Sequence, residues 1–260
     1  MKIPEDWDRP DIHNIELCKL FRSCAYKLGD YRLNYRLFMP EHEKQEKIPL
    51  VIYLHGADAV GDDNELHLSM HDIGTMFAKK EWQEKNPCYI FAPQYKSGEY
   101  WSDSRVKNAV LSLIKKLSEK EDIDKNRIYI YGYSAGGVGT LRLVKENPGL
   151  FAGAISICGA TNAENITELL KTPLWLIHAE DDEIVKISYK GGSTPWANHY
   201  GSSDIYEKLG GALGEILLTK YGKGEMKEKY GVNPHCSWVA VSSDEGSRFR
   251  DWLFSQRLDL

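Results

Sequence analysis

An alternating apolar run, Ile128-Tyr129-Ile130-Tyr131, leads directly into Gly132-Tyr133-Ser134-Ala135-Gly136, and a helix-compatible stretch follows to about Asn147. A strand, a tight turn carrying a serine and then a helix leave few folds open. In that context G-x-S-x-G reads as a nucleophile elbow, a turn that presents one serine at the end of a strand. Its glycines have steric duties. Position 132 must let helix and strand pass closely, and position 136 must leave room beside the serine where a Cβ would clash. The bland alternative is a glycine-rich turn that binds an anion or nothing.

The rest of the chain supplies a setting for this turn. Pro49–Gly56 (PLVIYLHG) is a nearly continuous apolar run ended by glycine, as expected of a central parallel strand covered on both faces. Cys88–Ala92, stopped by Pro93, reads as the next strand, with Phe151–Cys158, Pro173–His178 and Glu215–Tyr221 as later ones. Ser102–Lys120 spaces Val106, Val110, Leu113, Ile114 and Leu117 at helical intervals, with Ser102 or Asp103 as cap. Residues 57–80 read as a loop and then a helix, Ser202–Leu213 as weakly helical, and Ser243–Gln256 as a terminal helix. Near the start, LCKLFRSCAYKL and YRLNYRLFMP are split by Gly29-Asp30, which predicts an antiparallel hairpin. Strands alternating with helices from 50 to 178 predict an α/β fold, a mostly parallel sheet with helices on both faces. With no repeat and no dividing linker, the 260 residues are expected to form one domain. Lys190–His199 (KGGSTPWANH) has no periodicity and reads as a loop that could reach over a site.

Composition excludes several function classes. The net charge of -5, with Lys and Arg interspersed among acids, argues against a nucleic-acid partner. No stretch approaches 18 apolar residues, and the first residues, MKIPEDWDRPDIHNIE, carry acids and prolines where a secretory segment is apolar. A cytoplasmic location without a membrane partner is the expectation. Five cysteines, an odd number with no CxxC pair, suit buried free thiols better than a disulfide framework or metal site. GxGxxG, GxxxxGK[ST] and HExxH are absent, so no cofactor or metal is expected; His67 and His71, four apart, lack a further ligand cluster.

A serine hydroxyl needs a base to take its proton, and the base needs a third group to hold its tautomer. In an open parallel sheet the loops beyond the strands' carboxyl ends converge, and chain order in this architecture runs Ser, acid, His. The acid is therefore sought after PLWLIH, in AEDDEIVK, where Asp182 is preferred to Asp181, with Glu180 third. An acidic surface turn is the bland reading. Among eight histidines, His13 and His42 lie in polar leading segments, His55, His67 and His71 precede the serine, and His178 ends a strand as a structural residue. His235, in NPHCSW, is preferred to His199 as the base. The oxyanion hole needs two backbone N–H groups. Ala135 supplies one, and the loop after His55-Gly56 the other, Ala57 being nearest and Asp58 next. Tyr95, Tyr100, Trp101 and Trp196 lie in loops that could face the site, and Tyr133 adjoins the serine; packing of loops onto the domain is the alternative for the loop aromatics.

From about Tyr35 to Gln256 the chain resembles the α/β-hydrolases, and more closely the serine esterases related to polyhydroxybutyrate depolymerases, feruloyl esterases and the so-called predicted peptidases. The blocks LNYRLFMP, LVIYLHGADAVGDDN, FAPQYKSGEYW, DKNRIYIYGYSAGGVGTLRLVKENPGLFAGAISICGA, PLWLIHAEDDEIV, PHCSW and DWLFSQ carry the resemblance. It implies an α/β-hydrolase fold with Ser134 as nucleophile, Asp182 as acid, His235 as base, and Ala57 and Ala135 at the oxyanion positions. The family's first loop is commonly His-Gly-Ala-Gly, and here Asp58 takes the place of the second glycine; a carboxylate beside an oxyanion repels it unless it points away and holds the loop. Pro234 and Ala179 also replace usual glycines, and the segment at about 188–203 looks lengthened, an insertion at the active site. Taken together, the resemblance implies a cofactor-free serine carboxylic-ester hydrolase, acting on small-molecule or oligosaccharide-linked esters such as acetyl or feruloyl esters of plant polysaccharide. Asp58, Tyr95, Trp101, Tyr133 and Trp196 are its candidate substrate-binding residues. A serine peptidase and a non-catalytic binding protein of the same fold are the alternatives.

Overall fold

Gly29, at φ +58°, supplies the left-handed residue that folds Arg22–Leu28 (β1) back on Tyr31–Phe38 (β2) as the expected antiparallel hairpin. A computed structural model describes residues 15–41, 46–190, 198–213 and 216–258. The hairpin joins a sheet completed by Ile48–Leu54 (β3), Tyr89–Gln94 (β4), Ile123–Tyr133 (β5), Gly153–Ile157 (β6), Leu174–Ala179 (β8) and Ile216–Tyr221 (β10). Their spatial order is β1-β2-β4-β3-β5-β6-β8-β10. Pairing is antiparallel from β1 to β4 and parallel from there on. Ala160–Asn162 (β7) and His199–Gly201 (β9) form a separate antiparallel ribbon. This is the α/β-hydrolase fold, with the N-terminal antiparallel hairpin at one edge of a mostly parallel sheet.

Alternation along the central strands sorts their side chains onto two faces. Leu50, Ile52 and Leu54 of β3 and Ile128 and Ile130 of β5 join one apolar cluster; it includes Val110 and Leu113 of the helix Ser104–Lys120 and Leu141 and Val144 of the helix Ala135–Glu146. Val51, Tyr53, Tyr129, Tyr131 and Tyr133 point the other way, into a cluster with Trp238, Phe249 and Leu253. Both faces are covered, which is why these strands read as continuous apolar runs.

The order of strands also positions the site. From β3 the chain crosses to β4 on one side, then returns past β3 to β5 on the other. The carboxyl ends of β3 and β5 therefore flank a crevice at a topological switch point. Three expectations need correction. Pro93 does not stop β4, which runs to Gln94; the pairing with β3 ends at Phe91, so beyond it that side of β4 asks for no donor. Residues 57–83 form five short helical turns instead of one helix, because their buried residues, Leu68, Ile73, Met76 and Phe77, do not share one helical stripe. The terminal helix begins at Ser247, not Ser243, and ends at Ser255; a 3-10 turn, Asp244–Gly246, precedes it, and a Cβ at Gly246 would lie 2.1 Å from the Val241 carbonyl oxygen.

Candidate active site

Ser134 stands between the end of β5 and the start of the helix Ala135–Glu146, at φ 53° and ψ -119°. A non-glycine residue in that region stores on the order of 1–3 kcal/mol of strain and must be held by its surroundings. Its N–H donates to Ile157 O at 2.9 Å and lies 3.2 Å from Cys158 Sγ, both from the adjacent strand end. The flanking glycines have the steric role read from sequence. A Cβ at Gly132 would sit 2.5 Å from Gly136 O, and one at Gly136 only 1.9 Å from Leu54 O. Strand and helix approach closely at these glycines.

Asp182 follows β8 in a loop that its own side chain closes. Oδ1 accepts from the Ile184 N–H at 2.9 Å and the Val185 N–H at 3.1 Å, which leaves Oδ2 free to accept from His235 Nδ1 at 2.7 Å. Burial pushes a carboxyl up, but hydrogen bonding to His178 and His235 outweighs it and holds Asp182 far below the usual carboxylate range. Asp181 faces elsewhere, accepting from the Gly224 N–H at 2.8 Å. His178 braces the acid loop, with Nε2 2.8 Å from Val185 O and Nδ1 2.8 Å from Ser202 Oγ.

His235 lies in the 3-10 turn Pro234–Cys236, whose cap Asn233 accepts from the His235 N–H at 2.9 Å. An ionised Asp182 can only accept, so Nδ1 carries the proton and the Nε2 lone pair faces the Ser134 hydroxyl, 2.8 Å away. Trp238 meets the imidazole edge-on at 5.7 Å. Ser134, Asp182 and His235 are thus joined in one hydrogen-bonded chain.

Beside this chain, Ala135 opens its helix and Ala57 opens the 3-10 turn Ala57–Ala59 after β3. The first N–H of a helical turn has no intrahelical acceptor. Ala57 is exposed and Ala135 half-buried, whereas Gly56 and Gly136 next to them are buried. Asp58 turns its carboxylate inward, where Oδ2 accepts from His71 Nε2 at 2.6 Å and Oδ1 from the Tyr133 hydroxyl at 2.7 Å. Burial raises its pKa, but these hydrogen bonds prevail and keep the group below the ordinary range.

The candidate substrate-binding residues come out differently from the expectation. Tyr95 and Trp101 are 1% and 3% exposed, their rings packed at a tilt against His55 at 4.8 and 5.0 Å, with Trp101 Nε1 donating to His55 O at 3.0 Å. Tyr133 is fully buried, and the Asp58 side chain is 4% exposed. The side chains of these four are thus buried, whereas Tyr100 is exposed. Trp196 lies outside the described residues, as do His13 and His42 and the middle of the 188–203 segment. The two ends of that segment meet at Asp204, which accepts from Ser188 Oγ at 2.5 Å, Tyr189 N–H at 2.7 Å and Gly201 N–H at 3.0 Å. His199 pairs with Asn162 in the β7–β9 ribbon.

Sequence reasoning missed Cys158 and Trp238. The register Tyr133↔Ile157 puts the residue after β6 beside the residue after β5, which brings Cys158 next to Ser134. Trp238 follows His235 by three residues, one helical turn. Among the described residues, the cluster with metal-ligand side chains is Cys158, Asp182 and His235, within 4.8 Å of one another. Its carboxylate and imidazole are already bonded to each other. His67 and His71 are committed separately, His67 Nε2 donating to Ala92 O at 3.0 Å and His71 to Asp58.

Burial also lowers the pKa of His55 to about 4 and of His67 to about 3, from a usual value near ~6.5. Burial therefore keeps both rings neutral in the folded chain, with His55 Nδ1–H donating to Gly56 O at 2.7 Å. Below about pH 6.5 the unfolded chain takes up two protons that the folded chain refuses, and stability is lost as pH falls. These two groups should cost about 3–4 kcal/mol between pH 7 and 5. Urea unfolding at the two pH values checks this; an unchanged midpoint would contradict it.

The family model described as BD-FAE matches residues 36–147. Among solved structures, one described as a thermostable esterase is similar at 33% identity and a TM-score of 0.84, covering 94% of this chain and 64% of that one. The acylaminoacyl peptidase of Pyrococcus horikoshii is 17% identical with a TM-score of 0.64, covering 92% of this chain and 42% of that one. Est1E from Butyrivibrio proteoclasticus is 14% identical with a TM-score of 0.60, over 90% of this chain and 99% of that one. The chain therefore spans less than two thirds of the thermostable esterase it matches. No curated protein matches it in sequence.

Proposed function

We propose that this chain, which has the α/β-hydrolase fold and is similar to BD-FAE and to a thermostable esterase, is a serine carboxylic-ester hydrolase. One observation carries the reading: His235 bridges Ser134 and Asp182 through its two nitrogens, at 2.8 and 2.7 Å, in the tautomer a general base requires. In the first half-reaction His235 Nε2 takes the Ser134 proton as Oγ attacks the ester carbonyl. The Ala57 and Ala135 amides hold the oxyanion, and collapse of the tetrahedral intermediate releases the alcohol with a proton from His235. Water, deprotonated by the same histidine, then cleaves the acyl-serine and frees the acid. Asp182 stabilises the imidazolium in both halves.

The substrate class we propose is an acetyl or feruloyl ester of plant polysaccharide, supported by the match to BD-FAE over the segment that contains the Ala57 and Ser134 loops. The proposed setting is one domain of 260 residues acting in the cytoplasm; no described helix is long and apolar enough to cross a membrane. The acylaminoacyl peptidase similarity motivates a second reading, amide hydrolysis, by fold alone. Matched ester and amide substrates with one acyl group separate the two. The ester reading expects kcat/KM for the ester to exceed that for the amide by at least about 10³-fold, on the order of 4 kcal/mol in the barrier. Comparable values would favour the peptidase.

A further inference from the structure

Two donors of the oxyanion hole come from chain segments far apart in sequence, and Asp58 connects them. The 3-10 turn carrying Ala57 is short and closed by one backbone bond, Ala59 N–H to Gly56 O at 3.2 Å. Gln94 Nε2 supports its far end by donating to Ala59 O at 3.2 Å. Toward the nucleophile, its side-chain tie is Asp58, whose Oδ1 accepts from Tyr133, the residue immediately before Ser134. The second oxygen is fixed by His71, and the His71 and Trp238 rings pack against Tyr133 at 5.5 and 4.4 Å. Gly56 is pressed into the same corner, since a Cβ there would lie 2.4 Å from Tyr133 Cε2 and 2.7 Å from Asp58 Oδ1.

A buried carboxylate is a poor source of stability, because desolvation consumes most of what its hydrogen bonds return. What this one provides is a fixed distance. An oxyanion hole works only when both donors stand about 2.7–3.1 Å from the developing charge, and misplacement by about 1 Å can cost roughly 10²-fold in rate. We propose that Asp58 is a positioning residue for the oxyanion hole, tying the Ala57 turn to the Ser134 turn through Tyr133 and His71. The inference rests on the hydrolase reading above. In this arrangement the carboxylate faces into the core, away from the site where negative charge develops, and its two acceptor oxygens are occupied by donors from separate parts of the chain.

The test compares Asp58→Ala, Asp58→Asn and Tyr133→Phe with wild type, using p-nitrophenyl acetate turnover, affinity for an aryl trifluoromethyl ketone and fluorophosphonate labelling. In Asp58→Ala, kcat should fall about 10–100-fold with KM within about twofold, and the ketone should weaken by the same factor as kcat. Labelling of Ser134 should persist, more slowly. Asparagine can accept from His71 through Oδ1 and donate to the Tyr133 oxygen through Nδ2, so Asp58→Asn should restore kcat to within about threefold of wild type. Tyr133→Phe should lose kcat at constant KM. Wild-type kcat in Asp58→Ala, or an Asp58→Asn protein as impaired as the alanine variant, would overturn the proposal. Should Asp58→Ala fail to fold, Tyr133→Phe decides: lost kcat at constant KM supports the tie, and full activity overturns it. A wild-type protein that neither turns over the ester nor labels overturns the hydrolase reading itself, and this inference with it.

Discussion

Replacing Ser134 by alanine should lower kcat for an activated ester by about 10⁵–10⁶-fold and abolish fluorophosphonate labelling. The hydroxyl oxygen is the atom that becomes acylated and is then freed, and it sits 2.8 Å from His235 Nε2, the atom that takes its proton. The fold should be indifferent to the change. Alanine keeps the Cβ, and the strained backbone at φ 53° stays clamped by the Ser134 N–H bond to Ile157 O. The folded protein should therefore keep its thermal midpoint while losing activity. Any residual rate over water would come from the oxyanion donors and substrate binding alone.

Asp182→Asn should cost about 10⁴-fold in kcat. The amide can keep its oxygen toward the Ile184 and Val185 N–H groups, the two bonds that close the loop. Its nitrogen then donates toward His235 Nδ1 and selects the other tautomer, whose Nε2–H points at Ser134 and can no longer take its proton. KM should change little, because the carboxylate lies behind the histidine. The neighbouring Asp181→Asn is the control. Asp181 accepts from the Gly224 N–H, so its variant should stay within about twofold of wild-type kcat. Equal losses in the two variants would contradict the assignment of the acid.

These expectations rest on residues that sequence identified with unequal ease. Ser134 was legible because its turn sits between an apolar strand and a helix, and the glycines around it have no freedom to be anything larger. Asp182 and His235 were legible by order and by the strand that precedes each. Asp181 and Asp182 are neighbours in one acidic run, and only the folded loop separates their directions. The aromatic residues were the weakest inference. Tyr95 and Trp101 stand in loops by sequence, yet they pack under His55, because a loop at a strand's carboxyl end can as readily fold its side chains down as present them. Asp58 raised the question of a carboxylate next to an oxyanion. Its answer depends on His71, thirteen residues on, and Tyr133, on another strand; that pairing exists only in three dimensions.

The short turns of residues 57–83 were missed for a related reason. Their buried residues meet the sheet from one side without a helical period, so packing against Tyr53 and Tyr131 shapes them more than local propensity does. Cys158 lay hidden in an apolar run and became visible only through the parallel register of β5 and β6.

Hydrolysis by this route requires that Ser134 become acylated. Rapid-quench mixing of the wild-type protein with p-nitrophenyl acetate, followed by intact-mass and peptide analysis, measures this directly. A burst approaching one nitrophenol per chain is expected, with a single added acetyl group on the peptide bearing Ser134. Steady turnover with no acetylated protein in the burst, or acetylation on a different residue with Ser134→Ala still fully active, would contradict it.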